Sequence, residues 1–330
     1  MSSEGQSDEV WMRSVGEMIP QSIADDILEL VINSEDHHCS QHYNLLLSPK
    51  IRKLKLQKYF DWLQSLLIEA ATQCTNLQEI FISADVMDNY HDDIREFLNS
   101  VNSSKLKSLS MKIPSKLQSS VATESSLRTM FHNINVDNMS ALEHMDIAGI
   151  NIDESCLQSI LKMKKLKSLI LNDCKMSTIQ AVQILTGMSW LKQFECSYGK
   201  QSKVIQALSS LPRGTRLRLE CLSFRSPPRP SFFDADVLRM VRSVGSVSVT
   251  WNIAEVGYST AIDEGLARLE MLEHVRDIRL EVEMINMLYI IQLGSKMENI
   301  AHKITWFKYY FCYKMVEPQI FSDLISMSQS

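Results

Sequence analysis

The five-residue string Lys-Leu-Lys-Ser-Leu occurs twice, at 105–109 and at 165–169. Each copy sits inside a larger frame, LxxLxL, that can be followed along most of the chain. Its apolar slots are Ile51, Leu54 and Leu56; Leu77, Ile80 and Ile82; Leu106, Leu109 and Met111; Leu142, Met145 and Ile147; Leu166, Leu169 and Leu171; Leu191, Phe194 and Cys196. A weaker continuation runs through Leu217 and Leu219, Val249 and Trp251, then Val275, Ile278 and Leu280, and finally Ile304, Phe307 and Tyr309. The frames start at residues 51, 77, 106, 142, 166, 191, 214, 246, 275 and 304. A recurrence of about 28 residues is the length of one supersecondary unit, so a fold built by repeating that unit is expected ahead of the alternative, an ordinary doubly wound α/β sheet.

Apolar residues at helical spacing lie between the frames. Leu63, Leu66, Leu67, Ala70 and Ala71 precede the second, Leu157, Ile160 and Leu161 the fifth, and Val182, Ile184 and Leu185 the sixth. Each unit therefore reads as a short strand followed by a helix. Strand alternation puts the frame residues on one face, where they meet the helix stripes. One unit cannot bury that surface and a stack can. The expected fold is α/β: a solenoid with a curved parallel sheet on the concave face and helices on the convex face. It would span residues 50–330 in about ten units, degenerate after 214, behind a flexible stretch at 1–14 and a helical cap at 15–49.

Composition removes several alternatives. No two of the 10 glycines lie closer than Gly257 and Gly265, so the tight glycine spacing of dinucleotide and P-loop fingerprints is absent. A net charge of −5 supplies no positive field for nucleic acid or an anionic membrane, and neither is expected as a partner. The seven cysteines are scattered with no CxxC pair, which suits reduced, buried thiols. The N-terminus lacks the apolar core of a signal peptide and no run is long enough for a membrane helix, so the cytoplasm or nucleus is expected.

The fifth frame continues through Cys174 and Met176 as LxxLxLxxCxM, and the fourth offers Ile150 and Ile152 in the same slots. These residues resemble leucine-rich repeats of the ribonuclease-inhibitor-like, cysteine-containing type over about residues 50–312. Before them, a Pro at an N1-like position opens an amphipathic helix with Ile23, Ile27, Leu28, Leu30 and Val31, and Asp25 and Asp26 sit early in it. The Ile19-Pro20 to Leu30 stretch resembles the opening of an F-box, and also the elongin-binding box, of cullin-RING ubiquitin ligase substrate receptors. That resemblance implies a Skp1-type or elongin-type adaptor, bridging to a cullin, held by Ile19, Pro20, Ile23, Ile27, Leu28 and Val31. The same helix can cap the first repeat.

The x positions of the frames face solvent on the concave sheet. Lys53, Lys55, Lys107 and Lys167 would share that face with Gln193, suiting an acidic protein segment or plain solvation. His37, His38, Cys39 and His42 read as a polar loop instead of a metal site, and no metal or cofactor is expected. Asp92 and Asp93 belong in the acidic first turn of a helix. The 225–230 run, Arg-Ser-Pro-Pro-Arg-Pro, reads as a loop insertion. Trp306, Phe307, Tyr309, Tyr310, Phe311 and Tyr313 crowd the last frame, ahead of a closing helix at 317–326. With no catalytic motif, the expected role is protein binding, as a cullin-RING substrate receptor in ubiquitin-dependent degradation or as a leucine-rich repeat scaffold or inhibitor.

Overall fold

The computed structural model describes residues 18–34, 43–58, 60–101, 103–112, 139–198, 201–211, 215, 217–225, 246–252, 277–284 and 304–311. The chain divides into two compact units, Met1–Lys175 and Met176–Ser330.

In the N-terminal unit a helix, α1 (Gln21–Ile32), precedes the strands β1 (Lys53–Leu56), β2 (Glu79–Ile82), β3 (Ser108–Lys112), β4 (His144–Ala148) and β5 (Ser168–Asn172). Three further helices separate strands: α2 (Leu63–Gln73), α3 (Ala84–Ser100) and α4 (Glu154–Leu161). The strands pair in chain order and all in parallel. Ile80 stands opposite Leu54 and Leu109, and Met145 opposite Leu109 and Leu169, so like slots of successive frames form continuous rows. All three slots of each of the first six frames are at most 2 % exposed. Burial alternates along β1 to β4, while on β5 Ser168 is buried beside Leu169, and the crossover helices bury the stripes read from the sequence: Leu63, Leu66, Leu67 and Ala70 on α2, Leu157 and Ile160 on α4. One face of the sheet is thus the apolar layer shared with helices.

Backbone rungs repeat with the same period. The Arg52 carbonyl accepts both the Gln78 and Glu79 N–H groups, at 2.7 and 2.9 Å. The Gln78, Lys107 and Glu143 carbonyls do the same for residues 107–108, 143–144 and 167–168. The turn after the strand recurs as well. Gly149 (φ 86°) and Asp173 (φ 55°) are equivalent left-handed positions after β4 and β5, where glycine costs nothing and Asp is among the tolerated residues. The following residues pair through an Asn151–Lys175 bridge, which aligns Ile150 with Cys174. Three residues on, Asp153 caps α4 by accepting from the Cys156 N–H at 2.9 Å.

The long helix α3 is broken at Tyr90, whose φ −133° and ψ 30° are non-helical. Asp92 and Asp93 fall in the first turn after the break, the acidic helix start expected of them. Tyr90 Oη donates to the Phe60 carbonyl at 3.0 Å, and the Phe60 ring stacks on Trp62, which stacks on Tyr43.

In the C-terminal unit, α5 (Thr178–Gly187) opens with a capping box between Ser177 and Gln180. There follow β6 (Gln193–Tyr198), β7 (Gln201–Ser202), α6 (Lys203–Ser210), β8 (Cys221–Arg225), β9 (Ser246–Asn252), β10 (Asp277–Met284) and β11 (Ile304–Phe311). β6 and β8–β11 are parallel in that order, and β7 pairs antiparallel to β6. Three frames here are shifted from the sequence expectation. Phe194 stands opposite Leu222, so the seventh frame is Leu219, Leu222 and Phe224 and does not start at 214. The Lys192 carbonyl, accepting from Glu220 and Cys221 N–H, fixes that register; the alternation of Leu217, Leu219, Leu222 and Phe224 leaves it open in sequence. Leu222 and Phe224 oppose Val247 and Val249, which moves the eighth frame two residues ahead of Val249 and Trp251. Ile278 and Leu280 are in register with these, as expected of the ninth frame. The tenth frame is shifted: Leu280 stands opposite Phe307 and not Tyr309, after a register irregularity between Ile278 and Arg279.

Candidate functional site

Among the described residues no strand precedes β1, and an edge left bare invites pairing with another chain. Side chains of α1 take the place of the missing neighbour. Asp25 Oδ1 accepts the N–H groups of Arg52 and Lys53 at 2.8 and 3.0 Å, the two-to-one pattern that a carbonyl makes on every later strand of this unit. Asn33 Nδ2 donates to the Lys55 carbonyl at 3.1 Å while its Oδ1 accepts from the Gln57 N–H at 3.1 Å. Glu29 holds Lys55 Nζ at 2.6 Å and accepts from Gln57 Nε2. Beside this polar row, Ala24, Leu28 and Ile32 are buried. Pro20 is the N-cap and not N1, the helix starts at Gln21, and Asp25 lies past the first turn; its work is at the sheet edge and not on the helix dipole.

The outer side of α1 is apolar too. Ile23 is 45 % exposed and Leu30 73 %, with Met18 equally exposed ahead of the helix, while Ile19, Ile27 and Val31 are half-buried. Within the helix, the side chains at 23, 27 and 30–31 recur at helical spacing and form one stripe. Of the adaptor-contact residues expected from sequence, Ile23, Ile27 and Val31 share that stripe, while half-buried Ile19 and exposed Pro20 precede the helix. Leu28 does not: it is wholly inside, packed in the cap. Leu30 was not among the expected contacts, although its distance of seven from Ile23 and three from Ile27 was a usable signal.

The second surface is the sheet face turned away from the frame slots. Lys53, Glu79, Ser108, His144 and Ser168 form one of its rows, and Lys55, Phe81, Ser110, Asp146 and Ile170 the next. The expected lysine cluster is arranged otherwise. Lys53 and Lys55 lie on β1, whereas Lys107 and Lys167 each stand one residue before a strand, in the row of Arg52 and Gln78 at its leading end. Lysine also meets carboxylate across the sheet: Lys53 with Glu79 at 3.4 Å and Lys167 with Glu143 at 2.6 Å, besides Lys55 with Glu29. The hydrogen bond from Lys167 holds the Glu143 carboxyl below its ordinary range, and the one to Glu29 raises Lys55. The surface is therefore of mixed charge and not a basic patch. An aromatic lies in its midst, since Phe81 carries Lys112 Nζ over its ring at 5.7 Å. Gln193 belongs to the C-terminal unit, half-buried on β6 opposite Cys221.

Chemically reactive groups are muted. Burial pushes the Cys74 and Cys174 thiols up to about 12, so neither is a thiolate at neutral pH. Among the described residues no three metal-capable side chains gather, and no helix is long and apolar enough to cross a membrane. The 37–42 histidine and cysteine set, residues 226–230, Tyr313 and the helix expected at 317–326 lie outside the described residues. No protein-family model matches the chain, and no curated protein matches it significantly. What the described residues offer is surface: an apolar helix stripe and a polar, mixed-charge sheet face.

Proposed function

We propose that this chain is a leucine-rich repeat solenoid that binds proteins, and that it serves as the substrate-recognition subunit of a cullin-RING ubiquitin ligase. In this reading the sheet curves with its mixed-charge side concave, and that side grips the substrate. The outer stripe of α1 takes a Skp1-type or elongin-type adaptor. One observation carries the reading: α1 is apolar on both sides, with Ala24, Leu28 and Ile32 spent on the cap and Ile23 and Leu30 left exposed. A helix whose only task were capping would gain nothing from exposed aliphatic residues, which a soluble surface disfavours. The frame burial and the shared registers support the solenoid.

The test is capture of Skp1-type and elongin-type adaptors by the full chain, repeated with Ile23→Asp and Ile27→Asp together. Both positions are outside the cap, so the variant should keep its circular dichroism spectrum and lose the adaptor. Leu28 is unsuitable, because a charge there would unfold the cap. Failure of the intact chain to bind either adaptor overturns the receptor reading. It would leave the scaffold or inhibitor reading, which the hydrogen bonds of Asp25 and Asn33 favour by giving α1 a structural task of its own.

A further inference from the structure

Helices α2 and α3 enclose a groove of about 270 Å³ that neither the sheet face nor α1 touches. Its floor is Leu67 and Ala71 from α2 and Phe97 from α3; Leu67 and Phe97 are buried from the frame side and Ala71 is half-buried. Ile68 stands on one wall at 64 % exposure, far more than its size and apolarity favour. The lining residues recur at helical spacing from Gln64 to Thr72 and from Asp93 to Ser100, a length of about 12 Å or two helical turns.

The opposite wall is acidic, with Asp93 and Glu96. Four carboxylates elsewhere in the N-terminal unit have cations: Glu29 has Lys55, Glu79 has Lys53, Asp92 has Arg95 and Glu143 has Lys167. Asp93 accepts only a neutral amide hydrogen, from Gln64 Nε2 at 2.8 Å, and Glu96 meets no basic side chain among the described residues. An apolar floor beside two unneutralised carboxylates complements one kind of partner.

We propose that the α2–α3 groove docks an amphipathic helical segment of a partner protein, seating aliphatic side chains on Ile68, Ala71 and Phe97 and a Lys or Arg against Asp93 and Glu96. The helix-in-groove mode needs anchors repeating every three to four residues, which matches the two-turn run of the lining. The site is separate from both surfaces of the proposed receptor function and stands or falls independently of them.

The probe is a labelled peptide of about 14 residues, long enough for four helical turns, built from Leu on one face and Lys on the other. Its counterpart has Glu in place of Lys. Fluorescence anisotropy on the full chain should register binding of the Leu/Lys peptide, weakened by salt, and none of the Leu/Glu peptide. Glu96→Lys and Ile68→Glu, both at exposed positions, should each weaken it about tenfold or more without altering the circular dichroism spectrum. Glu154→Lys, on α4 and outside the groove, should leave it unchanged. Equal loss with Glu154→Lys would reveal mere attraction to an acidic protein and overturn the proposal. Equal binding of both peptides, insensitivity to the two groove variants, or no binding at all would overturn it as well.

Discussion

Lys53 and Leu54 are adjacent on β1, yet Lys53 is exposed and salt-linked to Glu79 while Leu54 has no accessible surface at all. The same division runs through β2 to β5: one face holds the frame slots, and the other holds Glu79, Phe81, Ser110, His144 and Asp146. Stability is concentrated on the first face. A fully buried aliphatic side chain contributes about 1.5–3 kcal/mol by area alone, whereas an exposed ion pair contributes less than about 1. The second face is thereby free to carry recognition, because changing it leaves the fold almost untouched.

The widest expected gap between the faces comes from Leu54→Ala beside Lys53→Ala. The first should lower stability by about 2–5 kcal/mol, through lost burial and the cavity left in a packed layer. The second should fall within about 0.5 kcal/mol. Urea unfolding followed by circular dichroism measures both, and comparable shifts would break the division of labour. Next in size is the cap. Asp25→Ala removes the acceptor of the exposed Arg52 and Lys53 N–H groups, which should cost about 0.5–1.5 kcal/mol. Hydrogen exchange should quicken at those two amides and not at Glu143 or His144, whose acceptor is the Lys107 carbonyl. Unchanged exchange would mean that water replaces the carboxylate without loss.

The smallest effect is the pH dependence of the Lys167–Glu143 pair. Glu143 titrates below its ordinary value because Lys167 hydrogen-bonds to the carboxylate. Its contribution is therefore present above the ordinary glutamate pKa of about 4.3 and disappears as pH falls through its lower folded value. Lys167→Met should slightly lower stability at neutral pH and flatten its fall with acid in that window, so that the two proteins converge once Glu143 is protonated. An unaltered acid limb in paired urea titrations would remove even this role from the pair.

Much of the N-terminal unit was legible in the sequence, since its signal is carried by spacing. Its five LxxLxL frames, like the sixth that follows in the C-terminal unit, and the stripes between them are local patterns, and burial of every slot follows from amphipathicity alone. Past residue 211 legibility fell. Apolar residues alternating from Leu217 to Phe224 fit two registers, and the pairing of Phe194 with Leu222 chose between them. The interaction surfaces were half legible. The outer stripe Ile23 and Ile27 could be read from spacing, but Leu28 sits on the same short run and only packing reveals that it points inward.

Strand, helix and their order were thus determined by the sequence on its own, because each depends on a side chain's distance from near neighbours in the chain. Which charges meet was decided by the tertiary structure. The lysines that suggested a basic face are met by Glu29, Glu79 and Glu143 from other segments, 24 to 26 residues away. Asp25 likewise became a substitute for a strand only because α1 lies along β1. Electrostatic and hydrogen-bonding partners follow spatial distance, and spatial distance is set by how repeats stack.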